Sequence, residues 1–184
     1  MIQTESIMRI FFRDVIQRLD ATAERQLESL INNCSTENQL NHFLEEHDCD
    51  SFLRDQDGNT LLHLMVQDSF PRTLAKPLRD GVDVRAKNNL GQEVIHLAAQ
   101  SDFVYHLQSL SDYAIDVNAQ CSQGWTALHY AVSADRYEIS AELLAMGIDT
   151  DLCDHAGRSA FDLAIELERY EIAGLLSKHE EVSA

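Results

Sequence analysis

Four glycines, Gly58, Gly91, Gly124 and Gly157, stand 33 residues apart, and that interval constrains the chain more than any other feature. A fixed period of about 20–50 residues marks a chain built from stacked copies of one supersecondary unit. The segments following the glycines are GNTLLHLMV, GQEVIHLAA, GWTALHYAV and GRSAFDLAI. His63, His96 and His129 keep the same interval, and Asp162 takes the fourth place. Asp83, Asp116 and Asp149 also recur at 33, inside GVDV, AIDV and GIDT. Three independent columns sharing one period exclude coincidence.

Each unit reads as a polar turn carrying glycine, then two helices. Thr60, Thr126 or Ser159 stands at a helix start, where its hydroxyl can accept from an unpaired backbone N–H. An apolar helix of about two turns follows, then a more amphipathic one, such as Tyr137 to Met146. Gly81 and Gly147 close that second helix, where a left-handed residue is wanted. No unit of this size buries its apolar faces alone, so neighbours must stack.

The period, the glycine, the T-x-L-H segment and the G-x-D turn together resemble the ankyrin repeat. The resemblance covers residues 55 to 178 as four units, 55–87, 88–120, 121–153 and 154–178, with a short tail at 179–184. It implies an all-α solenoid of L-shaped helix pairs with projecting hairpin fingers. It also implies protein binding through the fingers and the first-helix face.

Departures from the pattern weaken particular units. Glu93 replaces the usual threonine and is followed by Val94 and Ile95; glutamate caps poorly and β-branched residues disfavour helix starts. The usual proline is missing, with Leu61, Val94, Ala127 and Ala160 in its place. Pro77 falls late in a second helix, which it must distort or end. Ala114 stands where a closing glycine belongs. Units one and two are therefore expected to be locally weaker than unit three.

Residues 1–54 read as a helical N-terminal cap. Subtracting 33 from Asp83 gives Asp50, and NQLNHFLEEHDCDSF fits a second helix and turn. Residues 22–54 thus look like a degenerate terminal repeat with helices near 22–33 and 36–46, as expected where one face meets water. A further helix is expected over 5–19.

The chain's 184 residues carry 31 acidic against 14 basic side chains, a net charge of −17. That balance argues against nucleic-acid binding, which needs cations on phosphates, and against anionic membranes. It fits a protein partner with a basic segment. No apolar run approaches the roughly 18 residues of a spanning helix. The stretch IMRIFFRDVIQRL is broken by charges and lacks a signal peptide's apolar core. Cys34, Cys49, Cys121 and Cys153 include no C-x-x-C pair. Reduced thiols in the cytoplasm are the reading, with export by a route lacking a cleaved signal left open.

Catalytic and metal chemistry have little to stand on. One layer separates the recurring histidines, too far for one metal ion; each imidazole is expected to tie a helix start to the adjacent turn. His42, His47, Asp48 and Cys49 form the only dense group of ligand types, at a spacing that does not share a helix face. Cys121 and Cys153 stand near the starts of two turns, either paired or as free small residues. No nucleophile motif, P-loop or dinucleotide fingerprint appears. The expectation is no enzyme, no cofactor and no metal.

The contact surface is expected on the fingers and first helices, at Arg85, Lys87, Asn89, Leu90, Gln92, Gln123, Trp125, Arg136, His155 and Arg158. Five cations, Arg72, Lys76, Arg79, Arg85 and Lys87, gather before a stretch without Lys or Arg from Asn88 to Asp135. They either pair with acids of neighbouring units or steer a partner. Trp125, the single tryptophan, is either an interface anchor or a packing residue between units three and four. The resulting expectation is a monomeric adaptor or stoichiometric inhibitor that masks a partner's surface. KNNLGQEVIHLAA and DGNTLLHLMV are also similar to inhibitor ankyrins of NF-kappa-B-type factors, and the short format and SKHEEVSA to bacterial effectors delivered into host cells. Under those alternatives the host cytosol or the nucleus replaces the cytoplasm.

Overall fold

A computed structural model of the chain describes residues 54, 57–67, 74, 78 and 82–183. The expected cap helices, Pro77 and Gly81 lie outside the described residues. Seven helices are described: α1 (Leu61–Gln67), α2 (Val94–Gln100), α3 (Val104–Ser111), α4 (Ala127–Ser133), α5 (Tyr137–Ala145), α6 (Ala160–Glu166) and α7 (Tyr170–Ser183). The four first helices, α1, α2, α4 and α6, begin 33 residues apart, and each is seven residues long. Each packs on the next, and α3, α5 and α7 form a second layer behind α2, α4 and α6. The described part is an all-α repeat solenoid.

Small residues set the stacking distance of the inner layer. Ala98, Ala131 and Ala164 occupy equivalent positions and are fully buried, so α2, α4 and α6 carry only methyl groups at this column, where α1 carries the buried Met65. Leu62, Ile95 and Leu128 fill the next column and Leu107, Leu143 and Leu176 the second layer, all fully buried. Each such side chain stabilises the array by about 2 kcal/mol. Phe161 continues the Leu62 column but is only partly buried.

Helix ends show where the units differ. Gly147, at φ 81°, closes α5, with its N–H and that of Ile148 donating to the Leu144 and Leu143 carbonyls. Unit two, with Ala114 in that place, turns instead through Tyr113 N–H to Leu110 O and Ile115 N–H to Tyr113 O. Glu93 nonetheless occupies the cap of α2 with extended backbone (φ −88°, ψ 166°). Helix α7 runs to Ser183, through most of the segment expected to be a tail. That stretch, HEEVS, holds no glycine or proline and includes good helix formers.

Candidate functional site

The fingers are locked to one another through backbone. Asn89 N–H donates to Asp57 O at 2.8 Å, Ser122 N–H to Leu90 O at 3.0 Å, and His155 N–H to Gln123 O at 3.0 Å. The glycine beside each acceptor has φ between 71° and 77°. A Cβ on Gly58, Gly91 or Gly124 would lie within 2.9 Å of the next finger's backbone nitrogen. Glycine is thus required twice, for its left-handed conformation and for the close approach.

Within a finger, one side chain organises the turn. Asn88 Oδ1 accepts from Leu90 N–H and Gln92 N–H, and Asp154 Oδ1 accepts from Ala156 N–H and Arg158 N–H. Cys121 stands in the same column and offers only its sulfur to Gln123 N–H, at 3.4 Å. One residue earlier, Arg54 Nη1 donates to Gly58 O and Lys87 O. Gln120 Nε2 repeats this to Gly124 O and Cys153 O.

The histidines bolt each first helix to the next finger. Cap N–H groups of Thr60, Glu93 and Thr126 donate to Nδ1 of His63, His96 and His129. With Nδ1 accepting, the proton resides on Nε2. Nε2 then donates to Gln92 O, Ala119 O and Arg158 O at 3.0, 3.0 and 3.1 Å. Burial lowers the pKa of His96 and His129 despite these acceptors. Asp162 keeps the capping role by accepting from Ser159 N–H at 2.9 Å but has no proton to offer a following unit. The imidazoles thus tie helix starts to turns, as the spacing predicts.

The expected contact residues fall into distinct places. Asn89, Leu90, Gln123 and His155 lie exposed along the finger tips. Arg85 pairs with Asp116 at 3.2 Å and Lys87 with Glu93 at 3.9 Å, so these cations meet acids of the following unit or their own finger. Arg158 reaches both Asp154 and Glu166. Burial alone would raise the Asp154 carboxyl, but hydrogen bonds from Arg158 and Ala156 hold it at about 2. Trp125 joins that group: its Nε1–H donates to Asp154 Oδ2, and its ring lies 5.1 Å from Tyr130 and 6.1 Å from His129.

Two expected positions sit away from the finger tips. Gln92 is buried and not part of the surface: its Nε2 donates to Tyr130 Oη at 2.9 Å, and its Oε1 accepts from Asn88. A side chain this well paired belongs to the finger's interior. Arg136 stands at the N-cap position of α5, at the end of the first helix away from the fingers, where its side chain makes no cap bond and pairs instead with Asp102. Sequence reading missed Tyr130, which links units two and three, and placed Asp154 on a finger without its role as the carboxylate on which Trp125 and Arg158 converge. Setting Asp154 against Asn88, two 33-residue periods earlier, would have found that role.

Cys121 and Cys153 are free, the first buried and the second exposed. Among the described residues, no three His, Cys, Asp or Glu side chains are grouped to hold a metal ion, and no helix is long and apolar enough to cross a membrane. His42, His47 and Cys49 lie outside the described residues.

No curated protein matches the chain. The family model for ankyrin repeats (3 copies) matches residues 62–154 and 108–184, spanning every described helix except the first residue of α1. With the glycine-closed fingers, histidine bolts and paired helices repeating through that span, the chain belongs to the ankyrin-repeat family.

Proposed function

We propose that this chain is a non-catalytic protein-binding module whose partner is gripped by the finger tips and the adjoining ends of the first helices. Ankyrin repeats generally mediate protein–protein interaction. The observation that carries the reading here is Leu90. Its side chain is 63% exposed at a finger tip, while its backbone is fixed on both sides, N–H to Asn88 Oδ1 and carbonyl to Ser122 N–H. An apolar group held rigidly in water loses little entropy on binding and gains its whole burial.

Asn89, Gln123 and His155 flank it as polar contacts on equally fixed backbone, which suits docking without large rearrangement. Trp125 and Arg158 are already engaged with Asp154, so they support the surface from below. The chain then acts by covering a partner's surface, as an adaptor or a stoichiometric inhibitor. Cross-linking mass spectrometry on captured partner, comparing wild type with Leu90→Asp, tests this. The expected result is a loss of cross-links at the fingers with an unchanged melting temperature. Retained finger cross-links and affinity in Leu90→Asp would overturn it.

A further inference from the structure

A second surface lies at the opposite edge of the slab. The fingers precede the first helices, so the turns that follow those helices sit about 10 Å away, at the far end of a seven-residue helix. There Arg136-Tyr137-Glu138-Ile139 and Arg169-Tyr170-Glu171-Ile172 stand 33 residues apart. Ile139 and Ile172 anchor in the core, whereas Tyr137 and Tyr170 are 41% and 67% exposed. Tyr105 of α3, one position out of register, is 45% exposed and extends the row to a third unit. These are three of the six large apolar side chains exposed among the described residues.

The row is set in negative charge. Asp102, Asp135, Glu138, Glu168 and Glu171 are all exposed on it, against two guanidiniums. Both of these are already committed, Arg136 to Asp102 and Arg169 to Asp135. No ion pair is formed by Glu138, Glu168 or Glu171 among the described residues. Helix starts of α5 and α7 add about half a positive charge each, which does not cancel the carboxylates. Exposed aromatic faces beside unpaired carboxylates attract cations by two routes, the ring quadrupole and direct Coulomb attraction.

We infer that the edge bearing Tyr105, Tyr137 and Tyr170 binds an extended Lys- and Arg-rich segment of another protein. Successive units are spaced by roughly 8–10 Å, and an extended polyproline II chain rises about 3.1 Å per residue with three residues per turn, so every third side chain shares a face. A cation at every third residue therefore meets one unit after another, and each can sit over a tyrosine ring with a carboxylate beside it. Nucleic acid is the wrong sign for this edge. The surface is separate from the fingers, and the inference stands whether or not Leu90 contacts a partner.

Fluorescence anisotropy with a labelled 12-residue peptide tests it, using arginine at every third position between serines and comparing a peptide with the arginines in one block. The expected order is tighter binding of the spaced peptide. Tyr137→Ala with Tyr170→Ala should weaken it about tenfold, while Tyr137→Phe with Tyr170→Phe leaves it within about twofold because the ring remains. Glu168→Lys with Glu171→Lys should weaken it further, and Leu90→Asp should not change it. Equal affinity for both peptides, or equal loss in the Ala and Phe variants, would overturn the inference. So would a dimer in sedimentation that Tyr170→Ala dissolves, since the row would then serve a second copy of the chain.

Discussion

His129 Nε2 donates to the carbonyl oxygen of Arg158 across 3.1 Å, 29 residues further along the chain. The same ring accepts the Thr126 cap N–H on Nδ1. One side chain thereby satisfies a helix start and joins the following finger, and unit four is fastened to unit three at a carbonyl that also accepts from Asp154 N–H at 2.9 Å.

Removing that ring should cost more than removing its counterpart in the last unit. His129→Ala leaves the Thr126 cap N–H without its imidazole partner, removes one of the two hydrogen bonds to Arg158 O and opens a cavity, for an expected loss of about 3 kcal/mol. Asp162→Ala removes only an exposed cap and should cost about 1 kcal/mol. Urea unfolding of the two variants checks the order; a loss for Asp162→Ala as large as for His129→Ala would contradict the bolt.

His106 is wired in the opposite sense. Ser101 Oγ donates to Ala98 O and accepts from Phe103 N–H, so its contact with His106 Nδ1 at 3.2 Å requires that Nδ1 carry the proton. Nε2 is then a buried acceptor without a partner, and burial pushes the pKa down to about 4. A lowered folded value means that the neutral ring stabilises the fold fully above pH 6.5, and that this stability is lost as pH falls toward 4. His96 and His129 act in the same direction. Proton–nitrogen correlation spectra should show Nδ1–H on His106 and Nε2–H on His96 and His129 at pH 7. The His106 ring should stay neutral at pH 5; an imidazolium there would refute this wiring.

The period, the fingers and the histidine bolts were legible because each places the same residue type at the same column. What escaped the sequence was side-chain partnership. Gln92 reads as a polar finger residue like Gln123, yet Tyr130, found only in unit three, draws it inward. Arg136 reads as the residue before the Tyr137 helix, but its pairing with Asp102 of the preceding unit leaves no mark in the period. The tyrosine row was hidden by a similar cause: period alone does not say which member of R-Y-E-I faces the core.

Gly124 and Gly157 separate the two demands made on finger glycines. Both have φ near 78°, but a Cβ on Gly124 would meet the His155 ring at 2.8 Å and its backbone nitrogen at 2.9 Å, whereas one on Gly157 meets nothing within 4 Å. Gly157→Ala should cost about 1 kcal/mol, the conformational part alone. Gly124→Ala should cost about twice that or more, because finger three must shift from finger four. Equal melting temperatures for the two variants would argue against the close approach.

Glu93 is where unit two is expected to be weakest. The side chain is buried beside Lys87 at 3.9 Å, and its Oε2 has no partner. Burial raises its pKa, with Lys87 and Arg85 opposing. For an acid raised on folding, the charged form costs stability, so the penalty appears as pH climbs from 4.5 through the folded value and is complete above it. Glu93→Thr restores a neutral cap hydroxyl and removes the half-satisfied carboxylate, and should stabilise the protein by about 1 kcal/mol at pH 7. Native-state hydrogen exchange places the effect: the Leu97 amide should exchange faster than the Leu128 amide in wild type, and the gap should narrow in Glu93→Thr. A Leu97 amide already as slow as Leu128 would show that His96, by taking the cap N–H, compensates for the glutamate in full.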